Sequence, residues 1–246
     1  MTTFEQGIVR PVCNPGTPGL GPLAIVAATD ADFQFLCRKL RLPDSRRLFL
    51  STICFDAADP TTPTLAGPLL GAPYAVMVLE TLQAWGVRTI IFLGWCGSIS
   101  SCLHSGDILV PDSAVVDEGT SLHYGQHTGA VVQPHEHLCD SLHRIVRQRD
   151  MALCKGRVWT TDGVFRETPA QIRKYQAQGA VAVEMELSAL FSAAQFYGLS
   201  LAALLIVSDE LFTLEWRPGF KEKRFKKSRT AVCELLTDSY RRLNHD

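Results

Sequence analysis

Residues Gly179–Leu211 read GAVAVEMELSALFSAAQFYGLSLAALLIVSDEL, and this stretch decides the fold. Val181 to Val183 is a short β-branched run. From Glu184 to Tyr197, apolar residues recur at Met185, Ala189, Leu190, Ala193 and Phe196, the spacing of a helix with one buried face. Gly198 follows, where a helix end favours a residue free to take positive φ. Leu199 to Val207 is apolar throughout, as in a parallel strand covered on both faces. The run stops at Ser208-Asp209-Glu210. Open α/β sheets place ligands at the carboxyl ends of their strands. Asp209 therefore becomes a candidate site residue, and so does Glu186 at the end of the preceding strand. Glu184 is read as a structural acid turned away from Glu186.

Outward from this unit, strands alternate with helices. Leu23 to Ala28 predicts a strand. Thr29 then caps a helix through Phe33, Leu36, Cys37 and Leu40, with Asp32 at its third position. Leu48 to Cys54 predicts a second strand and Asp56 to Pro68 a Pro/Thr loop. A helix with Pro73 in its first turn carries Val76, Leu79, Leu82 and Trp85 on one face. Arg88 to Leu93 is a core strand running into Gly94-Trp95-Cys96-Gly97-Ser98. Such a glycine-bracketed turn lets backbone N–H groups approach a ligand closely. Asp107 to Val116 predicts another strand, followed by the loop DEGTSLHY at 117–124. Pro134 to Asp150 predicts a helix and Gly156 to Thr161 a strand ending in TTDGVFRE. Thr168, Pro169 and Gln171 then form a capping box for the next helix. The last helix carries Val232, Leu235, Leu236, Tyr240 and Leu243 on one face. The expectation is an α/β fold in three layers: a mostly parallel, mixed central sheet with helices on both faces. It fills a single domain over residues 1–246, with 1–21 as an irregular arm.

The composition narrows the function. The chain has 246 residues, 46% of them apolar, and a formal net charge of −1. A large core is available, and nothing in the charge points to nucleic acid or an anionic membrane as partner. The basic run from Lys221 to Arg229 is short and reads as a solvated approach to the last helix. No apolar run reaches membrane-spanning length, and MTTFEQGIVRPVC lacks the features of a signal peptide. The eight Cys form no CxxC pair and have no His at zinc spacing, so they are expected to be reduced thiols in a cytoplasmic protein without a metal.

The pairing of VEME at 183–186 with VSDE at 207–210 resembles the nucleoside phosphorylase family. That family includes purine nucleoside phosphorylases, uridine phosphorylases and related nucleosidases. The resemblance implies the phosphorylase-type three-layer fold, no cofactor, and a homo-oligomer, either a dimer or a hexamer built from dimers. It implies a small-molecule nucleoside as substrate, with inorganic phosphate as possible co-substrate. By the same resemblance Met185 and Glu186 contact the ribose, and Asp209 donates a proton to a purine leaving group. Thr120, Ser121 and His123, in DEGTSLHY, lie near the sugar or phosphate, and this stretch leans toward uridine phosphorylases. Phe165 is the candidate ring for stacking on the base, Arg166 the contact to a base carbonyl or phosphate, and Arg217 the group that polarises Asp209. Cys96 and Gly97 match the family's turn after the core strand.

The chain departs from the pattern at the nucleophile. Thr29-Asp30-Ala31-Asp32-Phe33 stands where the phosphorylases carry Gly-Asp-Pro-x-Arg. Phe92, Gly94 and Trp95 stand where they carry Arg, Gly and Ser or Thr. Both phosphate-binding Arg positions are therefore Phe, and Trp95 could fill the pocket or turn outward. Three functions remain open. The first is phosphorylase-type cleavage to base and ribose 1-phosphate. The second is hydrolysis by water activated by Asp30 or Asp32. The third is non-catalytic nucleoside or base binding.

Overall fold

The computed structural model describes residues 7–14, 16–149 and 151–243. Residues 1–6 and Pro15 of the expected arm, and Asp150 of the helix expected at 134–150, lie outside the described residues. The first half of the chain forms β1 (Leu23–Ala27), α1 (Asp30–Leu40), β2 (Asp44–Leu48), β3 (Ser51–Phe55), β4 (Thr64–Gly67), α2 (Ala72–Ala84) and β5 (Thr89–Ser98). The second half forms β6 (Ile108–Asp117), β7 (Val131–Val132), α3 (Glu136–Arg147), β8 (Leu153–Thr161), α4 (Pro169–Ala177), β9 (Ala180–Glu184), α5 (Leu187–Tyr197), β10 (Ser200–Glu210), β11 (Arg217–Pro218) and α6 (Lys223–Leu243).

The strands join one mixed sheet. β1 lies parallel between β4 and β5, and β10 runs parallel to β5 on its other side. β6, β8 and β9 are parallel to one another, while β10 meets β6 antiparallel. β1 stops at Ala27, and β9 takes the edge of β5 that it vacates, pairing with Gly97 and Ser98. Strands β5, β10, β6, β8 and β9 thus close into a ring.

Burial on both faces explains the unbroken apolar strands. Side chains alternate across a strand. Ala24, Val26, Ile90, Phe92, Ala203 and Leu205 pack on one side with α2 and α5. Leu23, Ile25, Ile91, Leu93, Ala202 and Leu204 pack on the other with α1, α3 and α6. The helices accordingly form two outer layers around the sheet.

Several boundaries differ from expectation. Gly94–Ser98, expected as a turn, continues β5, because these residues pair with β10 and β9, and β8 begins at Leu153 rather than Gly156. The single strand at 48–54 is a hairpin, β2 and β3, turning at Phe49 and Leu50 with Phe49 at φ 54°. Four polar residues in Asp44–Leu48 concealed the first strand: β2 is an exposed edge, so it carries no apolar run. The loop at 56–68 contains β4, whose four residues are all buried but too few to show a period. The helix expected from Glu184 starts at Leu187, because Glu184 ends β9. The last core strand continues beyond Val207 through Ser208-Asp209-Glu210, so these polar residues lie within β10.

The capping box is present. Thr168 Oγ1 accepts from Gln171 N, and Gln171 Oε1 accepts from Thr168 N. Thr168→Ala is expected to destabilise the fold by about 1 kcal/mol, read as a lower urea midpoint with an unchanged m-value.

Candidate active site

A cleft of about 190 Å3 opens where the carboxyl ends of β1, β5, β9 and β10 converge. Thr29, Trp95, Cys96, Gly97, Met185, Glu186 and Asp209 all line it. Residues far apart in sequence are thereby brought together, as the strand-end rule requires. Glu184, Glu167 and Ser208 also line it.

The β9–α5 junction carries two carboxyl groups. Glu184 Oε2 accepts from the N–H groups of Glu186 and Leu187, each at 2.8 Å, and so caps α5. Ser188 N donates to Thr160 Oγ1, which in turn donates to Glu184 Oε1 at 2.5 Å. With three donors aimed at its two oxygens, Glu184 is arranged as an ionised acceptor. Glu186, 5% exposed, accepts from Gly71 N at 2.6 Å and from the Met185 backbone. Burial pushes both carboxyls up, and the neighbouring Glu186 raises Glu184 further. Contrary to the expectation of opposite orientations, both side chains meet the cleft, because the chain leaves strand geometry between them.

Asp209 stands on the facing strand. Its Oδ2 accepts from Trp216 Nε1 at 2.9 Å, and its Oδ1 lies 2.6 Å from Ser208 Oγ. Ser208 Oγ is also 3.2 Å from the carbonyl of Cys96. One hydroxyl proton serves only one acceptor at a time. Ionised Asp209 takes it; protonated Asp209 donates to Ser208, which then donates to Cys96. The arrangement accommodates both protonation states. A Cβ on Gly97 would meet Leu211 Cδ1 at 2.5 Å and Asp209 Oδ2 at 3.2 Å, so glycine lets the β5 backbone approach this acid. Cys96 is buried, and its thiol is pushed well up by burial first and then by Asp209.

Glu167 was missed in the sequence. It follows the turn after β8, and its carboxyl is raised to about 7 by burial and then by Asp209. The only signal was an acid beside the Phe165-Arg166 pair. That pair turns elsewhere: Phe165 is 97% exposed, Arg166 is exposed, and neither lines the cleft. Arg217 pairs with Glu210 at 3.5 Å rather than with Asp209, because Glu210 is its partner in the β10–β11 register.

The turn from Thr29 to Asp32 is tied into an internal network. Asp32, 1% exposed, receives Arg229 Nε and an Arg229 terminal nitrogen on Oδ1, at 2.9 and 2.6 Å. Its Oδ2 receives Trp95 Nε1 at 2.7 Å and Thr29 Oγ1 at 2.8 Å. Arg229 also lies over the Trp95 ring at 4.9 Å. Asp32 is thus saturated with donors. Asp30 is exposed, accepts from Gln34 Nε2 and does not line the cleft. Gly94 is buried away from the cleft between Phe92 and Leu205. Phe33 and Phe92 are core residues.

The DEGTSLHY loop stands apart from this cleft. Thr120 and His123 line a second cavity of about 390 Å3 with Glu80, Tyr124 and Asp162. Glu80 accepts from the hydroxyls of Tyr124 and Tyr197. Ser121 is buried, with its N–H on Glu118 and its hydroxyl bonded to Ser192. Among the described residues, no group of three or more His, Cys, Asp or Glu is arranged to hold a metal ion, and no helix is long and apolar enough to cross a membrane.

Known proteins share this architecture. A purine nucleoside phosphorylase from Toxoplasma gondii, solved in complex with immucillin-H, superposes with a TM-score of 0.78 over 98% of both chains at 17% identity. An AMP nucleosidase from Bacteroides thetaiotaomicron superposes with a TM-score of 0.68 over 88% of both chains at 20% identity. In sequence, purine nucleoside phosphorylases of the DeoD type from Bacillus cytotoxicus and Bacillus cereus are 28% identical over 153 residues, 62% of this chain. The match spans 65% of the length of those relatives. The sequence profile of the phosphorylase superfamily matches residues 22–240, from the start of β1 into α6. A match that takes in all the cleft-forming strands settles the membership: the chain belongs to the phosphorylase superfamily.

Proposed function

We propose that this chain cleaves the N-glycosidic bond of a purine nucleoside with water, rather than phosphate, as nucleophile. One observation carries the choice of nucleophile. The cleft is lined by four carboxyl groups, Glu167, Glu184, Glu186 and Asp209, and among the described residues by no Lys, Arg or His. A phosphate dianion brought into that cleft finds no cationic side chain among the lining residues to compensate its charge. The two Arg positions of the phosphorylase pattern are buried Phe33 and Phe92, and the Arg229 guanidinium behind Trp95 is paired with Asp32.

The same carboxyl groups suit a reaction that builds positive charge on the sugar. Glu186 accepts from ribose hydroxyls and supports the developing cation. Asp209 gives a proton to the departing base, and Ser208 adjusts its hydrogen bond as that proton leaves. A cleft carboxylate takes the proton that water loses, so one proton is given and one received per turnover. Asp30 and Asp32 are not assigned to this step, since one faces solvent and the other is saturated. The purine preference follows the phosphorylases named for purine nucleosides among the relatives. Exposed Leu70, Met77, Leu122, Val164 and Phe165 give the chain apolar surface to bury against further copies, in keeping with a homo-oligomer.

Product analysis tests the reading. Purine nucleosides incubated without phosphate are expected to yield free base and free ribose in equal amounts, resolved by chromatography. Formation of ribose 1-phosphate as the main sugar product in phosphate buffer would assign phosphorolysis instead. Nucleoside binding with no turnover in either buffer would leave a binding protein.

A further inference from the structure

Two cysteines outside the cleft meet across the sheet's edge. Cys37 lies on α1 and Cys54 on β3, 17 positions apart, and their Sγ atoms are 3.5 Å from each other. Cys54 sits in register between Ser45 of β2 and Leu65 of β4, so its position is fixed from both sides. Both residues are half-buried. They are held facing one another without being sealed in the core. The other six thiols lack such a neighbour: Cys13 and Cys102 are exposed, Cys154 is half-buried with its sulfur on the Lys155 carbonyl, and Cys96, Cys139 and Cys233 are buried.

We propose that Cys37 and Cys54 form a reversible disulfide by exchange with a small-molecule disulfide of the glutathione class. Closing the bond brings the sulfurs together by roughly 1.5 Å, to the ~2.05 Å of a disulfide. The order of events follows from the hydrogen bond. Cys37 S–H donates to Cys54, which favours the thiolate at Cys54 and disfavours it at Cys37. The Cys54 thiolate attacks one sulfur of the external disulfide and expels a thiolate, leaving a mixed disulfide. Cys37 then gives its proton to solvent and attacks Cys54 Sγ, expelling the second thiolate. Two protein thiols are oxidised by two electrons, and one external disulfide is reduced to two thiols. The product staples α1, which is capped by Thr29 and carries Asp32, to the hairpin edge of the sheet.

The test equilibrates the native protein with reduced and oxidised glutathione at a series of ratios. The samples are quenched by alkylation and mapped by mass spectrometry. The expected result is a cross-linked peptide pair holding Cys37 and Cys54, with Cys13 and Cys102 carrying at most mixed disulfides. The cross-linked form should melt higher by on the order of 5–10 °C, since the bond closes a loop in the unfolded chain. Dithiothreitol should reverse both changes. Cys37→Ser should accumulate glutathione on Cys54, whereas Cys54→Ser should leave Cys37 largely unmodified. Separate alkylation of Cys37 and Cys54 at every ratio would overturn the proposal, as would cross-links from either residue to a different cysteine.

Discussion

Asp209→Asn is expected to lower kcat for base release by roughly 10²–10⁴-fold, the range for loss of a general acid, with little change in KM. Asparagine keeps the size of the side chain and an oxygen for the Trp216 indole, so the fold has no reason to change. What it lacks is a proton to give. Its amide also cannot follow the exchange in which Ser208 Oγ serves Asp209 in one protonation state and the Cys96 carbonyl in the other. Glu210→Gln is the matched control. Glu210 is one residue away, but it holds Ser105 N, His104 and Arg217 and does not line the cleft. It should leave kcat nearly unchanged. Steady-state base release with circular dichroism on each variant distinguishes the two. Equal activity of Asp209→Asn and the native protein would make Asp209 a structural acid at a strand end.

Glu186→Gln is expected to weaken catalysis and strengthen the fold at the same time. A hydrogen bond to a charged group contributes ~1.5–3 kcal/mol, so kcat/KM should fall by roughly 10–150-fold. Glutamine still offers an oxygen to Gly71 N. The stability effect has a definite sign. Burial raises the Glu186 carboxyl from 4.5 to about 7. The folded state therefore holds this proton more tightly than the unfolded chain. Its contribution to stability is fully present below pH 4.5 and is lost as pH rises through about 7. Near pH 8 the native protein carries a buried charge that the variant does not, a difference on the order of 2–3 kcal/mol. Thermal unfolding from pH 5 to 8 should show a flatter curve for Glu186→Gln and a higher Tm than native at pH 8. Parallel curves would mean that Glu186 does not titrate in this window. A site that holds an acid at the cost of stability is a common trade in binding clefts.

Much of this was legible in the chain. The β9–α5–β10 unit could be read because apolar periodicity changes where the strand ends and the helix begins. Glu186 and Asp209 could be placed because carboxyl ends of buried strands converge in such sheets, and Met185 was placed by the resemblance of VEME to the family's motif. The β2–β3 hairpin was hidden because an exposed edge strand of Asp, Ser and Arg has no apolar pattern. Glu167 was hidden because a turn residue acquires its role from what packs over it, which spacing does not record. The saturation of Asp32 was hidden for a different reason. Its partner Arg229 lies 197 positions away, and a helix-capping acid reads the same whether or not a guanidinium meets it. Phe165 shows the converse: the family resemblance suggested stacking on the base, yet the short turn at Val164–Arg166 presents it to solvent.

Water is the proposed nucleophile because the cleft gathers carboxyl groups with no Lys, Arg or His among its described lining residues. The direct measurement is the initial rate of base release from a purine nucleoside as phosphate is raised from zero to millimolar levels at constant ionic strength. A finite rate at zero phosphate that stays flat or declines as phosphate is added is the expected result. A rate that vanishes without phosphate and rises to saturation with it would assign phosphate, not water, as the nucleophile.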